Sequence, residues 1–188
     1  MATIGLRYPI WSPYASGGSG APIVYGTAVT GDSAIEASII WNRNKNELYA
    51  DDMVKEYDNS ILSGEITFGY DNLSSALKAS MLGETETSVG SKIYEISDAA
   101  APHGGFGYIK VVRSAGVNSY EAYWYHDVQF ALDGESAKTR GENIEWQTPT
   151  VTGKIYGVDL DGSGKFKFRT VQAFTTYSAA KTYLDNLA

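Results

Sequence analysis

The chain contains no cysteine, which excludes disulfide bonds and thiolate metal sites. It has no apolar run approaching the roughly 20 residues that a membrane-spanning helix needs. The opening MATIGLRYPIW lacks a basic segment followed by a long apolar stretch, so a signal peptide is not indicated. We therefore expect a soluble product that is used inside the cell and is not inserted in a membrane.

Basic residues are scarce and scattered. The 188 residues include 22 acidic and 15 basic side chains, a formal net charge of −7, without a lysine or arginine cluster. Such a chain is a poor candidate for gripping nucleic-acid phosphates, but acidity suits a surface that DNA must slide past. With 43% hydrophobic and 20% charged residues, the chain suits one folded domain over 1–188.

Tyrosine and glycine are abundant, at 14 and 20 residues, which favours strands joined by glycine turns. Residues 1–34, rich in Gly, Ser and Pro, are predicted as an extended arm or loop, and 42–60 as a long polar loop between two strands. Alternating or apolar patterns predict strands at 34–41, 62–70, 106–113, 119–132, 143–152, 154–160 and 165–174.

Two segments show helical spacing instead. The segment DNLSSALKASMLG predicts an amphipathic central helix over 71–83, capped by Asp71 or Asn72. The segment SAAKTYLDNL predicts a short helix over 178–187, capped by Ser178. The predicted fold class is therefore mainly β with one or two helices, an α+β domain.

The stretch EAYWYHDVQFAL within 119–132 has mostly apolar residues at its even positions. Its odd positions are polar or amphipathic, so Glu121 and Asp127 are predicted to share the polar face of this strand. Glu65 is predicted on the polar face of the strand at 62–70.

The stretch DLDGSGKFKFR offers the most familiar metal pattern, because Asp159, Asp161 and Ser163 alternate as calcium ligands do. A calcium loop of the helix–loop–helix kind needs a carboxylate at its twelfth position, which is Thr170 here. The flanking residues alternate as strands. The sequence therefore favours a hairpin turn, with metal binding at Asp159 and Asp161 as the weaker interpretation.

Catalytic patterns are weak. His126 and Asp127 are adjacent on a strand and are predicted to point to opposite faces, and His103 lies in the loop APHGGFG. That glycine-rich stretch lacks the spacing and lysine of a phosphate-binding loop. Asp51 and Asp52 are interpreted as part of a solvated or protein-contacting loop. We predict no enzymatic activity, no metal and no cofactor.

Six stretches together resemble one family. They are, in order, IGLRYPIWSP, NELYADDMVKEYDNSILSGEITFGYDNLSSALKASMLG, GFGYIKVV, YEAYWYHDVQF, KTRGENIEWQTPTVTGKI and FTTYSAAKTYL. In this order they resemble the major tail tube proteins of long, non-contractile (siphovirus-type) bacteriophage tails, over nearly the whole chain. The glycine-rich SGGSGAP region and the APHGGFG loop depart from the family pattern.

The resemblance implies a β-sandwich or half-barrel with a flanking helix. It implies a homo-oligomer, in which hexameric rings stack into a tube that conducts DNA during ejection. The implied location is the virion, after assembly in the bacterial cytoplasm. Implied partners are a tail-tip initiator, a tape-measure protein and a tail terminator, while DNA passes through the lumen without specific binding.

Two hypotheses about residues follow from this resemblance. Carboxylates that face the lumen would repel phosphate, and the candidates are Glu65, Glu121 and Asp127. The 42–60 loop would carry ring-to-ring contacts through Leu48, Tyr49, Asp51, Asp52 and Met53.

Three alternatives stay open at the level of the sequence. One is a monomeric β-sandwich module that binds carbohydrate through its aromatic residues. Another is a calcium-dependent hydrolase, and a third is the tube protein of a contractile tail or secretion system. The candidate aromatic platform consists of Tyr120, Tyr123, Trp124 and Tyr125.

Overall fold

The computed structural model describes residues 2–18, 21–87, 92–94, 100–132, 134, 139 and 148–188. The described strands are β1 (Ala2–Gly18), β2 (Ala21–Tyr25), β3 (Val29–Thr30), β4 (Ala34–Arg43), β5 (Asn46–Ala50), β6 (Met53–Asp58), β7 (Ile61–Tyr70), β8 (Thr85–Thr87), β9 (Lys92–Tyr94), β10 (His103–Ser114), β11 (Val117–Ala131), β12 (Thr150–Tyr156) and β13 (Arg169–Phe174). The helices are α1 (Ser75–Leu82) and α2 (Tyr177–Leu187). The predicted class, mainly β with two helices, is confirmed.

One antiparallel sheet of nine strands dominates the described residues, and its main path runs β2-β1-β10-β11-β12-β7-β4. The long strand β11 pairs with β10 along one side. Along its other side it pairs first with β13 and then with β12. The small ribbons β5-β6 and β8-β9 lie outside this sheet. The topology agrees with a β-sandwich that has a flanking helix.

A bulge in β11 changes which residues face the core. Gly104 pairs with Val128 and Phe106 pairs with Tyr125, so β11 has one additional residue between these pairs. An additional residue reverses the alternation of side chains beyond it. Tyr125 before the bulge and Val128 after it therefore contribute to the same core cluster. The prediction of one uniform alternation through this strand is wrong at this point.

The larger core cluster fills the inner face of the curved sheet and includes Trp11, Phe68, Phe106 and Phe130. Helix α1 contributes Leu77 and Met81 to it. Its rings meet edge to face, as shown by Trp11 and Phe130 with centroids 5.5 Å apart at 74°. Such pairs add about 0.5–1.5 kcal/mol beyond the area that they bury.

The smaller core cluster lies under α2, where Ala180 and Leu184 pack against Trp124 and neighbouring residues. Glycine in β10 makes room for the indole ring. A Cβ atom added to Gly107 would lie 2.7 Å from the Trp124 ring and 3.1 Å from the Leu184 side chain. The glycines of APHGGFG thus have a packing role.

Both helices begin at residues other than those predicted. Helix α1 has Ser74 as its N-cap rather than Asp71 or Asn72, and it ends at Gly83 in the left-handed conformation with φ of 73°. The Thr176 side chain, not that of Ser178, caps α2 by accepting a hydrogen bond from the Ala179 backbone N–H. Several adjacent Ser, Thr and Asn residues are equivalent as caps in sequence, so tertiary contacts select the residue that is used.

Two segments expected to be irregular contain strands. The 1–34 segment forms β1 to β3, and within it Ile10 and Trp11 are fully buried. The 42–60 segment contains the hairpin β5-β6. In both segments, Gly, Ser and charged residues obscure the alternation that indicates a strand. The predicted strand at 143–152 lies outside the described residues at 143–147.

Substitution of Trp11 tests whether the 1–34 segment belongs to the core. Trp11→Ala should lower the free energy of unfolding by about 3–5 kcal/mol, because a buried indole leaves a cavity. Ile4→Ala, in the same strand but with Ile4 52% exposed, should change it by less than about 0.5 kcal/mol. Urea unfolding measures both values. Similar small effects for the two variants would contradict this account of β1.

Candidate functional site

The hairpin β5-β6 projects from the body of the protein. It prolongs the β4-β7 pair, since the Asn44 N–H donates to the Ser60 carbonyl at its root. Among the described residues its two strands pair only with each other. Every residue of the two strands is exposed except Ala50. Packing against its own chain therefore contributes little to the stability of the hairpin.

The hairpin nevertheless carries large apolar side chains. Its register pairs Glu47 with Tyr57 and Tyr49 with Val54, which puts Tyr49, Val54 and Tyr57 on one face. Leu48 and Met53 lie on the other face, because they belong to the alternate pairs. Met53 is 70% exposed and Tyr49 is 64% exposed. Both faces of the ribbon thus expose apolar side chains beside acidic ones.

A two-residue turn joins the two strands. Asp51 and Asp52 have positive φ angles of 53° and 62°, and Ala50 pairs with Met53 across them. Two successive left-handed residues are typical of a type I′ turn, which aspartate tolerates better than most side chains. The sequence signal was the Asp-Asp pair between LYA and MVKEY. It is weaker than Asn-Gly, and our sequence analysis missed it.

Four strands of the main sheet, β2, β3, β4 and β13, pair on one side only among the described strands. Strand β4 pairs with β7 on one side only, and β13 pairs with β11 on one side only. Neither strand contains proline or lysine, the residues that often protect an exposed edge. The edge of β4 also exposes Ile35 and Ile40. These edges can accept strands from another chain.

The structure separates the three candidate lumen acids. Glu65 lies on the exposed side of β7, opposite Lys154 of β12, and Gln129 of β11 is the next residue across. Asp127 lies within the bulge on this same side of the sheet, which we call the polar face, but its side chain is only 14% exposed. Glu121 precedes the bulge and faces the opposite way, where it accepts a hydrogen bond from the Tyr123 hydroxyl at 3.0 Å.

The two histidines have different environments. His103 Nδ1 lies 2.7 Å from Asp127 Oδ1, and this exposed ring lies beside Tyr14 and Tyr156. His126 is only 7% exposed, and its Nε2 is 2.9 Å from the Thr170 hydroxyl. His126 is thus a buried, hydrogen-bonded residue. Asp127 pairs with His103 rather than with its neighbour in sequence.

The DLDGSG stretch forms a turn, as predicted. Val158 and Lys167 exchange two backbone hydrogen bonds across it, at 3.0 and 2.8 Å. The Asp159 carboxylate accepts from the backbone N–H groups of Ser163 and Gly164, and Asp161 pairs with the Lys167 ammonium at 2.7 Å. The pairing is one isolated bridge, so the flanking strands are shorter than predicted.

Hydrogen bonds from the turn hold the pKa of Asp161 well below its usual range, with the contact to Lys167 as the largest cause. The carboxylates of the two aspartates thus serve the turn itself. Among the described residues, no group of three or more His, Asp or Glu side chains is arranged to hold a metal ion.

The aromatic residues that a carbohydrate platform would need are largely inside the protein. Trp124 and Tyr125 are fully buried. Tyr123 stacks on Tyr108 with centroids 5.4 Å apart and planes 13° apart. Tyr120 packs against Tyr177. These contacts leave no flat, open row of rings from this group.

The chain matches no protein-family model, and no curated protein matches it at a significant level. None of the helices in the described ranges is both long and apolar enough to cross a membrane.

The burial of His126 has a consequence for stability at acidic pH. Burial, with a smaller effect of Lys167, lowers the pKa of His126 from 6.5 to about 4 in the folded protein. Between about pH 6.5 and pH 4, His126 therefore binds a proton in the unfolded chain but not in the folded protein. Stability is therefore complete above about pH 6.5 and falls as the pH drops towards 4, by about 2 kcal/mol between pH 7 and pH 5.

Urea unfolding of wild type and His126→Gln at both pH values measures this effect. The glutamine retains a hydrogen-bonding side chain but does not titrate, so the wild type should lose about 2 kcal/mol more than the variant does. Equal losses in the two proteins would show that His126 does not titrate as its burial requires.

Proposed function

We propose that this protein is a structural subunit that polymerises into stacked hexameric rings, forming a tail tube through which bacteriophage DNA is ejected. The projecting hairpin β5-β6, apolar on both faces and exposed in the monomer, is the observation that carries this proposal. The ring number, the DNA conduit and the virion location rest on the family resemblance of the sequence. The need for a partner rests on physical arguments from the hairpin and the sheet edges.

The hairpin is a poor independent structure. An isolated two-stranded ribbon is marginally stable in water, and this one has no packing partner among the described residues. Burying one face would leave the other face open, so the ribbon suits insertion between two surfaces. Full burial of a Leu or Met side chain contributes about 1.5–3 kcal/mol, so Leu48 and Met53 are natural anchors for such a contact.

The unpaired edges of β4 and β13 support the same proposal. An open edge that lacks protective residues promotes uncontrolled pairing unless an identical neighbour completes it. A closed ring of identical subunits removes open edges, since each edge is paired by the next copy. Edge pairing would join the subunits side by side, and the hairpins would contribute contacts to neighbouring copies, including those in the next ring.

The polar face is the candidate surface for the bore. It presents Glu65 and Asp127, and its cations are Lys154 and, when protonated, His103. A bore must not bind DNA, and near-neutral or negative walls satisfy this requirement. Glu121, on the opposite side of the sheet, is not part of this candidate surface.

Polar substitution of the hairpin tests assembly. Leu48→Ser/Met53→Ser and Tyr49→Ser/Val54→Ser each alter one face of the ribbon. Each variant should raise the protein concentration needed for tubes by at least about tenfold, because buried apolar contacts between subunits are lost. Negative-stain microscopy and sedimentation measure assembly.

The control is Val117→Ser/Phe166→Ser, which alters side chains that are 71% and 66% exposed outside the hairpin. It should assemble as wild type does. Monomer unfolding should change by less than about 0.5 kcal/mol in both hairpin variants, since these side chains are exposed. If both hairpin variants formed tubes in normal yield, the proposal would be contradicted.

Charge reversal on the polar face tests the bore assignment. Glu65→Lys should slow DNA release from otherwise normal virions several-fold, because each new cation attracts phosphate by about 1 kcal/mol at contact in water. Asp32→Lys makes the same charge change on another surface and should leave release unchanged. Unchanged ejection by the first variant would show that this face does not line the bore.

A further inference from the structure

A pair of cations lies on one tyrosine ring at the inner side of the sheet. The Lys110 ammonium is 4.6 Å from the centroid of the Tyr123 ring, and the Arg169 guanidinium is 5.5 Å from the same centroid. Arg169 also lies 5.4 Å from the Trp41 ring. We call Lys110, Arg169, Tyr123 and Trp41 the cation patch. Its rings and aliphatic stems are half-buried, while Arg169 is exposed.

The charge of the patch is not balanced by the described part of the chain. Glu121 is the one described carboxylate that acts on it, since it lies opposite Lys110 across the strand pair and partly opposes the lowering of that lysine's pKa by burial and by Arg169. Neither Lys110 nor Arg169 makes an ion pair within 4 Å with another described residue. Two cations thus share one acid, whose carboxylate already accepts the Tyr123 hydroxyl.

The surroundings make this arrangement unfavourable for the isolated subunit. Burial lowers the pKa of Lys110, and the nearby charge of Arg169 lowers it further. Like charges held together in a half-buried site repel, and a further carboxylate would relieve that repulsion. Cation–aromatic contacts hold both groups in place, so an incoming anion meets a site that is already ordered.

The tip of the hairpin carries matching groups. Asp51 and Asp52 occupy its turn, and neither makes a hydrogen bond or ion pair with a described residue. Of the other hairpin acids, Glu47 accepts from Tyr49 and Asp58 accepts from Asn44 and Ser60, while Glu56 lies midway along the ribbon. The farthest point of the ribbon therefore presents two adjacent, unengaged carboxylates.

We propose that the Asp51–Asp52 tip of one copy docks on the Lys110–Arg169 pair of a neighbouring copy. This rests on the proposed function, and it names the acceptor of the hairpin. Two carboxylates would meet two cations, and the shared excess of positive charge would be neutralised. The apolar residues behind the tip would be buried beside the aromatic rings of the patch.

The hairpin that docks on the patch must belong to a second copy, because the patch lies beside the root of the hairpin in its own chain. Trp41, which contacts Arg169, is only a few residues before β5 begins at Asn46. At about 3.3 Å per residue the ribbon reaches roughly 15–20 Å from that root. Its strands pair only with each other in the described structure, so the ribbon does not fold back on the patch.

A nucleic-acid phosphate is the competing ligand, and the surroundings disfavour it. The patch contains Glu121, and the chain carries a net charge of −7. Among the described residues only Lys110 and Arg169 converge there, beside the rings of Tyr123 and Trp41. Proteins that bind nucleic-acid phosphates normally use extended basic surfaces. An aspartate pair at the tip of a narrow ribbon fits a small site better.

The first experiment changes charge at each side of the contact. Asp51→Asn/Asp52→Gly removes both carboxylates and keeps the type I′ turn, which Asn-Gly favours. Lys110→Glu/Arg169→Glu reverses the patch. Each should raise the concentration needed for tubes at least about tenfold, a loss of about 1.4 kcal/mol per contact. The control Lys181→Glu removes a comparable cation, 4.9 Å from the Tyr8 ring, and should assemble normally.

The second experiment uses the absence of cysteine in the chain, which makes introduced thiols unambiguous. Asp52→Cys and Glu121→Cys chains are mixed under assembly conditions and oxidised. A disulfide-linked heterodimer should form in high yield, because Glu121 lies beside Lys110. Lys154→Cys, on the polar face, replaces Glu121→Cys as the control and should give little cross-link with Asp52→Cys.

The outcomes separate the two proposals. If wild type forms no rings or tubes, even when seeded by tail tips, the proposed function fails. If tubes form from both charge variants and the 52–121 cross-link is absent, the docking proposal alone is overturned. Normal tubes combined with loss of duplex-DNA retardation in Lys110→Glu/Arg169→Glu would instead assign the patch to phosphate.

Discussion

Strand β11 carries one more residue than β10 between their flanking pairs, and this bulge determines how the sheet is used. Before it, Trp124 faces α2 and Tyr125 faces the larger core. After it, Val128 continues the larger core, and Asp127 turns to the polar face, where it pairs with His103. One strand thereby contributes to two cores and to the polar face. Without the bulge, a charged residue would point into a core of packed aromatic rings, at a high desolvation cost.

The surfaces best suited to assembly are those that the monomer does not use. The hairpin is exposed on both faces, and the edges of β4 and β13 lack partners among the described strands. Such features are unfavourable for a lone subunit in solution, since they invite uncontrolled association. In the proposed docking, the acidic tip and the cation patch would give that association a direction. Charge matching contributes more to the choice of partner than to the strength of binding.

No family model and no curated protein matches the chain, so its function has to be inferred from its own residues and their contacts. The resemblance of the ordered motifs underlies the tail-tube proposal, and the exposed hairpin and unpaired strand edges support the proposed oligomerisation. The structure also changes the interpretation of individual residues. Asp159 and Asp161 stabilise a turn through its own N–H groups and Lys167, and the glycines near His103 make room for Trp124. Local patterns that resemble binding motifs here serve packing and turn formation.

The sequence by itself determined the class of the fold and the identity of most buried strands. Period-two alternation in 62–70 and helical spacing in 71–83 are local consequences of backbone geometry, so they can be read without coordinates. The DLDGSG turn was predictable for the same reason, because glycine and aspartate act on the nearest backbone groups.

Tertiary structure alone decided the rest. The bulge at His126 depends on how β10 and β11 align over many residues, and it separates Glu121 from Asp127. Burial of Trp11 depends on a strand more than 90 residues away, as shown by its pairing with Phe106. The cation patch brings β4, β10, β11 and β13 together. Such contacts join residues that are distant in the chain, and no local pattern encodes them.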